Sequence, residues 1–122
     1  MIEAIDHVVL TVRDPDRAAA FYARVLDMEP ITFGAGRRAL RFGRQKINLQ
    51  SLGQETRNHA CIGSGDLCLV TRWSSAEVLS RLAREGIRVV EGPVTKSGAL
   101  GPITWIYFND PDGNLIEVSR YD

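Results

Sequence analysis

The chain has 122 residues, with 15 Lys+Arg against 15 Asp+Glu and a formal net charge of +0, which suits one buried core and is too short for separate cofactor and substrate domains. Such neutrality lacks the basic footprint of nucleic-acid or anionic-membrane binders, and 44 % apolar with 25 % charged residues excludes long disorder, collagen-like repeats and coiled coils. No apolar run approaches the roughly 18 residues of a membrane span, and Met1 leads into an acidic segment with no basic n-region, so neither nucleic acid nor membrane is expected as a partner and a cytoplasmic location is expected.

Residues 5–12, rich in β-branched and apolar types and ended by Arg13-Asp14-Pro15, predict a strand. A helix follows: Asp14 suits its N-cap, Pro15 its first position, and Ala18, Phe21, Tyr22, Val25 and Leu26 recur at three- and four-residue spacing until Pro30. Segments 31–33, 38–42 and 46–50, separated by Gly34-Ala35-Gly36 and Gly43-Arg44, predict three strands joined by tight turns. The polar, aperiodic stretch 52–65 reads as a connection, with His59 on its surface.

The pattern then restarts. Asp66–Thr71 predicts a strand, Ser74-Ser75-Ala76-Glu77 a capping box before Val78, Leu79 and Leu82, and Gly86 the helix stop. Strands are expected at 87–91, 103–108 and 114–119, the last two joined by the turn Asp110-Pro111-Asp112-Gly113. Both halves read β-α-β-β-β, an internal repeat of about 50 to 60 residues. The fold class is therefore α+β: one domain over 1–122, with module one at about 1–51, a linker at about 52–65 and module two at about 66–122. Cys61 and Cys68 lack CxxC spacing, so no disulfide framework is expected.

Strand parity sorts the polar residues. With Val8, Leu10 and Val12 packed under the first helix, His7, Val9 and Thr11 face away; likewise Asp66, Cys68 and Val70 oppose Leu67 and Leu69. Two sheets related by a pseudo-twofold would present His7, Asp66, Glu117 and Asn48 or Gln50 inside a concave surface. An imidazole and two carboxylates converging there call for a divalent cation. The spacing alone fits a hydrogen-bonded core histidine equally well.

Three segments carry a family resemblance: Ile5-Asp6-His7-Val8-Val9-Leu10-Thr11-Val12-Arg13-Asp14, Phe21-Tyr22-Ala23-Arg24-Val25-Leu26-Asp27-Met28, and Tyr107-Phe108-Asn109-Asp110-Pro111-Asp112-Gly113-Asn114-Leu115-Ile116-Glu117-Val118. They resemble the vicinal oxygen chelate superfamily, which groups glyoxalase I, the bleomycin and fosfomycin resistance proteins and the extradiol dioxygenases. Arg41–Leu49, Gly92-Pro93-Val94 and Gly101-Pro102-Ile103 most resemble the small proteins similar to glyoxalase domain-containing protein 5. The resemblance implies paired βαβββ modules forming a metal-binding cup, with ligands from the first and last strand of each. On this chain those are His7, Asp66, Glu117 and Asn48 or Gln50, with Gln50 taken as the ligand and Asn48 as a substrate contact. It further implies one divalent ion (Ni, Mn, Mg, Zn or Fe), a small-molecule substrate and a homodimer, whose modules pair within one chain or are exchanged between chains. Where the better-known enzymes carry a second histidine this chain has Asp66, and a neutral amide replaces a carboxylate in module one. The harder donor set favours Mn²⁺, Mg²⁺ or Ni²⁺ over ferrous iron and lowers the dioxygenase reading.

Parity also places Trp105 and Tyr107 on one face beside Glu117, as an apolar wall and a hydrogen-bond donor, or else as core aromatics. The segment 95–101 reads as a substrate-covering loop in which Lys96 and Ser97 bind an anionic group, or equally as a solvated hairpin connection. Cys68, on the Asp66 face, is expected as a small buried residue, with approach to a metal as the alternative. No GxSxG, P-loop, dinucleotide fingerprint or CxxC occurs. The function expected is a metal-dependent lyase or isomerase of glyoxalase type, with Glu117 as proton shuttle and Tyr107 as hydrogen-bond donor. The alternatives are a metal-free binder of bleomycin-resistance type and an extradiol-type dioxygenase.

Overall fold

A computed structural model describes all 122 residues, Met1–Asp122, as two compact units, Met1–Ser64 and Gly65–Asp122. The element order is β1 (His7–Val12), α1 (Pro15–Leu26), β2 (Glu29–Phe33), β3 (Arg37–Phe42), β4 (Gln45–Ser51), β5 (Asp66–Val70), α2 (Ser75–Arg84), β6 (Glu91–Gly98), β7 (Gly101–Asn109) and β8 (Leu115–Tyr121). Each unit is thus a βαβββ module, and the α+β fold of two repeated modules is the one the sequence pattern implies. Residues 52–65 hold no helix or strand.

Module one forms a four-stranded sheet in the order β1-β4-β3-β2, with β1 parallel to β4 and the other pairs antiparallel. Asp14 caps α1, its carboxylate accepting from the backbone N–H groups of Asp16 and Arg17, while Asp27 ends it in the left-handed region at φ 55°. Ala18, Ala19, Phe21, Tyr22 and Val25 of α1 are buried. So are Leu10, Val12, Leu40, Ile47 and Leu49, of one strand parity. That burial drives the module's collapse.

Module two repeats the order as β5-β8-β7-β6, with β5 parallel to β8. The capping box of α2 is present: Ser74 Oγ accepts from Glu77 N at 3.2 Å and the Glu77 carboxylate accepts from Ser74 N at 2.6 Å. Beyond Arg84 the chain closes with Gly86 N donating to Ala83 O and Ile87 N to Leu82 O, Gly86 adopting φ 69°. Phe108, Ile116, Ile106 and Val118 are buried with Val78 and Leu82 of α2.

In this module one expectation is corrected and one open alternative is decided. The strand expected at 87–91 begins only at Glu91 and runs to Gly98. Pro93 lacks the N–H a ladder needs, so the pairing register shifts between Glu91 and Val94 and then resumes. Of the two readings of 95–101 the hairpin connection holds and the covering loop does not: the segment ends a β-hairpin, with Gly98 paired to Gly101. Leu100 N donates to Tyr121 Oη at 3.0 Å, tying the hairpin tip to β8.

The turn between β7 and β8 is fastened by two side chains. Asp110 Oδ1 accepts from the backbone N–H groups of Asp112 and Asn114, each at 2.9 Å, and Asp110 Oδ2 accepts from Asn114 Nδ2 at 2.9 Å. Gly113, at φ 86°, takes the left-handed position of the turn.

Candidate functional site

In module one the register places His7 opposite Lys46, Val9 opposite Asn48 and Thr11 opposite Gln50. These residues share the face of the sheet opposite Leu10, Val12, Ile47 and Leu49. The His7 side chain is 42 % exposed, and its Nδ1 lies 2.7 Å from Asp6 Oδ1. A carboxylate on Nδ1 orients the ring and leaves Nε2 as its outward nitrogen. Asn48 is only 6 % exposed, yet its Oδ1 is buried with no hydrogen-bond partner, an arrangement that is costly unless something donates to it or coordinates it. Gln50 differs: its Nε2 donates to Thr11 Oγ1 at 2.8 Å. Further along the same face, Lys46 Nζ sits 3.9 Å from the Phe33 ring centroid, with the Arg37 guanidinium on the same ring at 5.1 Å.

In module two, Cys68 lies opposite Glu117, Glu117 opposite Tyr107, and Trp105 opposite Ser119. Asp66 precedes Cys68 by two residues and so shares its face with Glu117. Burial, then the neighbouring Asp66 charge, push the Glu117 carboxyl above the usual carboxylate range, against a Tyr107 hydrogen bond and the Lys96 charge that favour the anion. Burial also raises the Tyr107 phenol. The Lys96 ammonium is raised chiefly by its hydrogen bond to Tyr107 and lies 3.6 Å from Glu91 Oε2. Its Nζ is 5.0 Å from the Tyr107 centroid and 5.9 Å from that of Trp105. The two rings are 5.6 Å apart, and Trp105 Nε1 is buried without a partner.

An ammonium has donors only, so Tyr107 Oη must accept from Lys96. The phenolic proton is then directed to Glu117, and three side chains from three strands become one oriented chain. A similar count applies to Cys68. The single Ser119 hydroxyl proton goes to Leu69 O at 3.1 Å, so the Cys68 thiol, 3.2 Å from Ser119 Oγ, is the donor to it. Partial burial pushes that thiol up, which keeps it protonated. Contrary to expectation, Cys68 is exposed rather than buried, as is Cys61; both are free thiols.

The structure therefore groups Asp66, Glu117, Tyr107, Trp105 and Lys96 on one face of module two, and His7, Asn48 and Gln50 on one face of module one. Ser97 is not grouped with Lys96: neighbours in a strand face opposite sides, and Ser97 is exposed on the other. Parity separates the two only once the segment is a strand, since it has no meaning in a loop. Neither module by itself gathers three or more His, Cys, Asp or Glu side chains around one point. Each offers two donors in equivalent places. Asn48 stands opposite the second residue after His7, as Glu117 stands opposite the second residue after Asp66. Taken module by module, an imidazole beside an orphaned amide oxygen in the first, and a mutually repelling carboxylate pair in the second, are donor types that suit a divalent cation.

A model of the Glyoxalase/Bleomycin resistance protein/Dioxygenase superfamily matches residues 4–118. Over 123 residues the chain is 49 % identical to glyoxalase domain-containing protein RDO1 of Mycosarcoma maydis, covering 98 % of this chain and 69 % of that protein. It is 47 % identical over 124 residues to virulence protein STM3117 of Salmonella typhimurium, covering 99 % and 86 %. The crystal structure of STM3117 matches with a TM-score of 0.94, covering 100 % of this chain and 99 % of that one. The crystal structure of lactoylglutathione lyase from Agrobacterium tumefaciens matches at a TM-score of 0.78 and 25 % identity, covering 98 % and 95 %.

Proposed function

Because the chain belongs to the Glyoxalase/Bleomycin resistance protein/Dioxygenase superfamily, we propose that it is a divalent-metal-dependent enzyme of the glyoxalase type, a lyase or isomerase acting on a small molecule with vicinal oxygens. The subgroup is that of small proteins similar to glyoxalase domain-containing protein 5, and the working form is a cytoplasmic homodimer. The equivalent placement of His7 with Asn48 and of Asp66 with Glu117 is the observation that carries this reading. It favours Asn48 over Gln50 as the amide donor, since Gln50 is bonded to Thr11.

Ni, Mn, Mg, Zn and Fe ions are the candidates; His7, Asn48, Asp66 and Glu117 are the residues that would hold one, and it would supply Lewis-acid polarisation of two adjacent substrate oxygens. The residues do the rest. Glu117 takes a proton from the substrate carbon beside a carbonyl and returns it to the neighbouring carbon. Tyr107 directs its hydroxyl at Glu117 and steadies the carboxylate before the first transfer and after the second. Lys96 fixes the direction of the Tyr107 hydroxyl, and Trp105 walls the site with an apolar face.

Elemental analysis of protein purified without added metal, compared with His7→Ala and Glu117→Ala, tests the metal. Stoichiometric divalent ion in wild type and its loss in both variants is the expected result; no binding at about micromolar metal sinks the reading. Turnover of the methylglyoxal–glutathione hemithioacetal with each metal then tests the lyase assignment, and inactivity with all of them rejects it. The neutral amide in module one favours a second reading, a small-molecule binder of bleomycin-resistance type that uses no metal. Ligand binding undiminished in Glu117→Ala would identify it.

A further inference from the structure

The turn that joins β7 to β8 reaches beyond itself. Asn114 is 1 % exposed and its Oδ1 accepts from Gly65 N at 2.7 Å, while Leu115 N donates back to Gly65 O at 2.9 Å. Gly65 is the last residue before β5, and Asp66 is the first within it. The start of β5 is thus clasped through both backbone polar groups of one residue, Gly65, by Asn114 and Leu115. The clasp is itself braced: Asn114 Nδ2 donates to Asp110 Oδ2 at 2.9 Å, and Asp110 Oδ1 accepts from Asp112 N and Asn114 N. An amide suits position 114 because it must donate to one partner and accept from another.

We propose that Asn114 is a positioning residue for the site: through Gly65 it holds the first residue of β5, Asp66, in register beside Glu117. Asp66 is exposed and at the end of a strand, where fraying is easiest, and its registered neighbours on β8 hold it only if that end stays paired. The inference rests on the reading of Asp66 as a metal donor, and its test keeps the two apart.

Asn114→Asp keeps the acceptor for Gly65 but sets a carboxylate against that of Asp110. Asp110→Asn/Asn114→Asp reverses the pair and restores one donor facing one acceptor. Two quantities are read well below the melting temperature: Mn²⁺ affinity by calorimetry and amide hydrogen exchange at Gly65. The single variant is expected to weaken Mn²⁺ binding about tenfold or more, in the range of outer-shell changes, and to accelerate Gly65 exchange. The double variant is expected to restore both. Asn114→Ser, which removes both links without adding charge, replaces the single variant if that does not fold. A residue that merely stabilises the turn would lower the melting temperature and leave Mn²⁺ affinity and Gly65 exchange unchanged, and that result overturns the proposal, as does a folded double variant without recovery. Should Asp66→Ala bind Mn²⁺ as wild type does, the metal reading fails, and Gly65 exchange alone decides whether Asn114 holds the strand.

Discussion

Module one and module two share an element order and a strand register but divide their roles differently. Helix α1 buries five residues against its sheet, whereas α2 buries only Val78 and Leu82. The open face of module one offers one imidazole and neutral amides, with Lys46 and Arg37 flanking Phe33; that of module two offers the carboxylates of Asp66 and Glu117, the latter steadied by Tyr107 and Lys96. Backbone pairing thus repeats where side-chain chemistry does not. Ladder hydrogen bonds depend on strand geometry, while the outward positions are free to differ in charge.

The largest contrast should appear in stability. Leu40→Ala, at a fully buried position of module one, is expected to cost about 2–5 kcal/mol, whereas Val78→Ala in α2 should cost about 1–2 kcal/mol. Urea denaturation compares them, and equal losses would contradict the weaker packing of α2. Metal affinity should split the modules next. Glu117→Ala is expected to lower Mn²⁺ affinity by at least about 100-fold and Asn48→Ala by about tenfold, since a neutral amide contributes less attraction than a carboxylate; calorimetric titration yielding the reverse order would assign the dominant donor to module one.

Smaller effects fall on the helix ends. Ser74→Ala and Asp14→Ala should each cost about 1 kcal/mol. Hydrogen exchange should nonetheless loosen far more in α2, which has less burial to retain it, and equal loosening would refute the contrast. Smallest is a pH effect. Hydrogen bonds from the Ser74 backbone, then its side chain, hold Glu77 below the usual glutamate range. A depressed folded-state pKa means the contribution is complete above that range and lost as pH falls through the folded value. Glu77→Gln should remove this acid-range slope, as midpoints measured across a series of acid pH values would reveal.

Much of this was legible in the residues. Asp14-Pro15, the Ser74-to-Glu77 box and Gly86 marked helix ends because capping is local chemistry, satisfied within one turn of chain. Parity located the face shared by Asp66, Cys68 and Glu117 and the pairing of Trp105 with Tyr107, because alternation is a property of any strand. At 95–101 the residues fit a covering loop and a hairpin connection equally well, because glycines, hydroxyls and a lysine suit both; cross-strand bonds decide for the hairpin, with the ladder resuming past Pro93.

What the sequence determined by itself is the two-module α+β plan and the faces on which its polar residues lie, since periodicity and caps depend on neighbours a few residues apart. Tertiary structure alone decided which of those residues are engaged. Gln50 is spoken for by Thr11, 39 positions away, while Asn48 Oδ1 is left without a partner. Asn114 reaches Gly65 across 49 positions. Such partners are set by strand register and burial, which bring distant residues within hydrogen-bond range and shut out the water that would otherwise satisfy them.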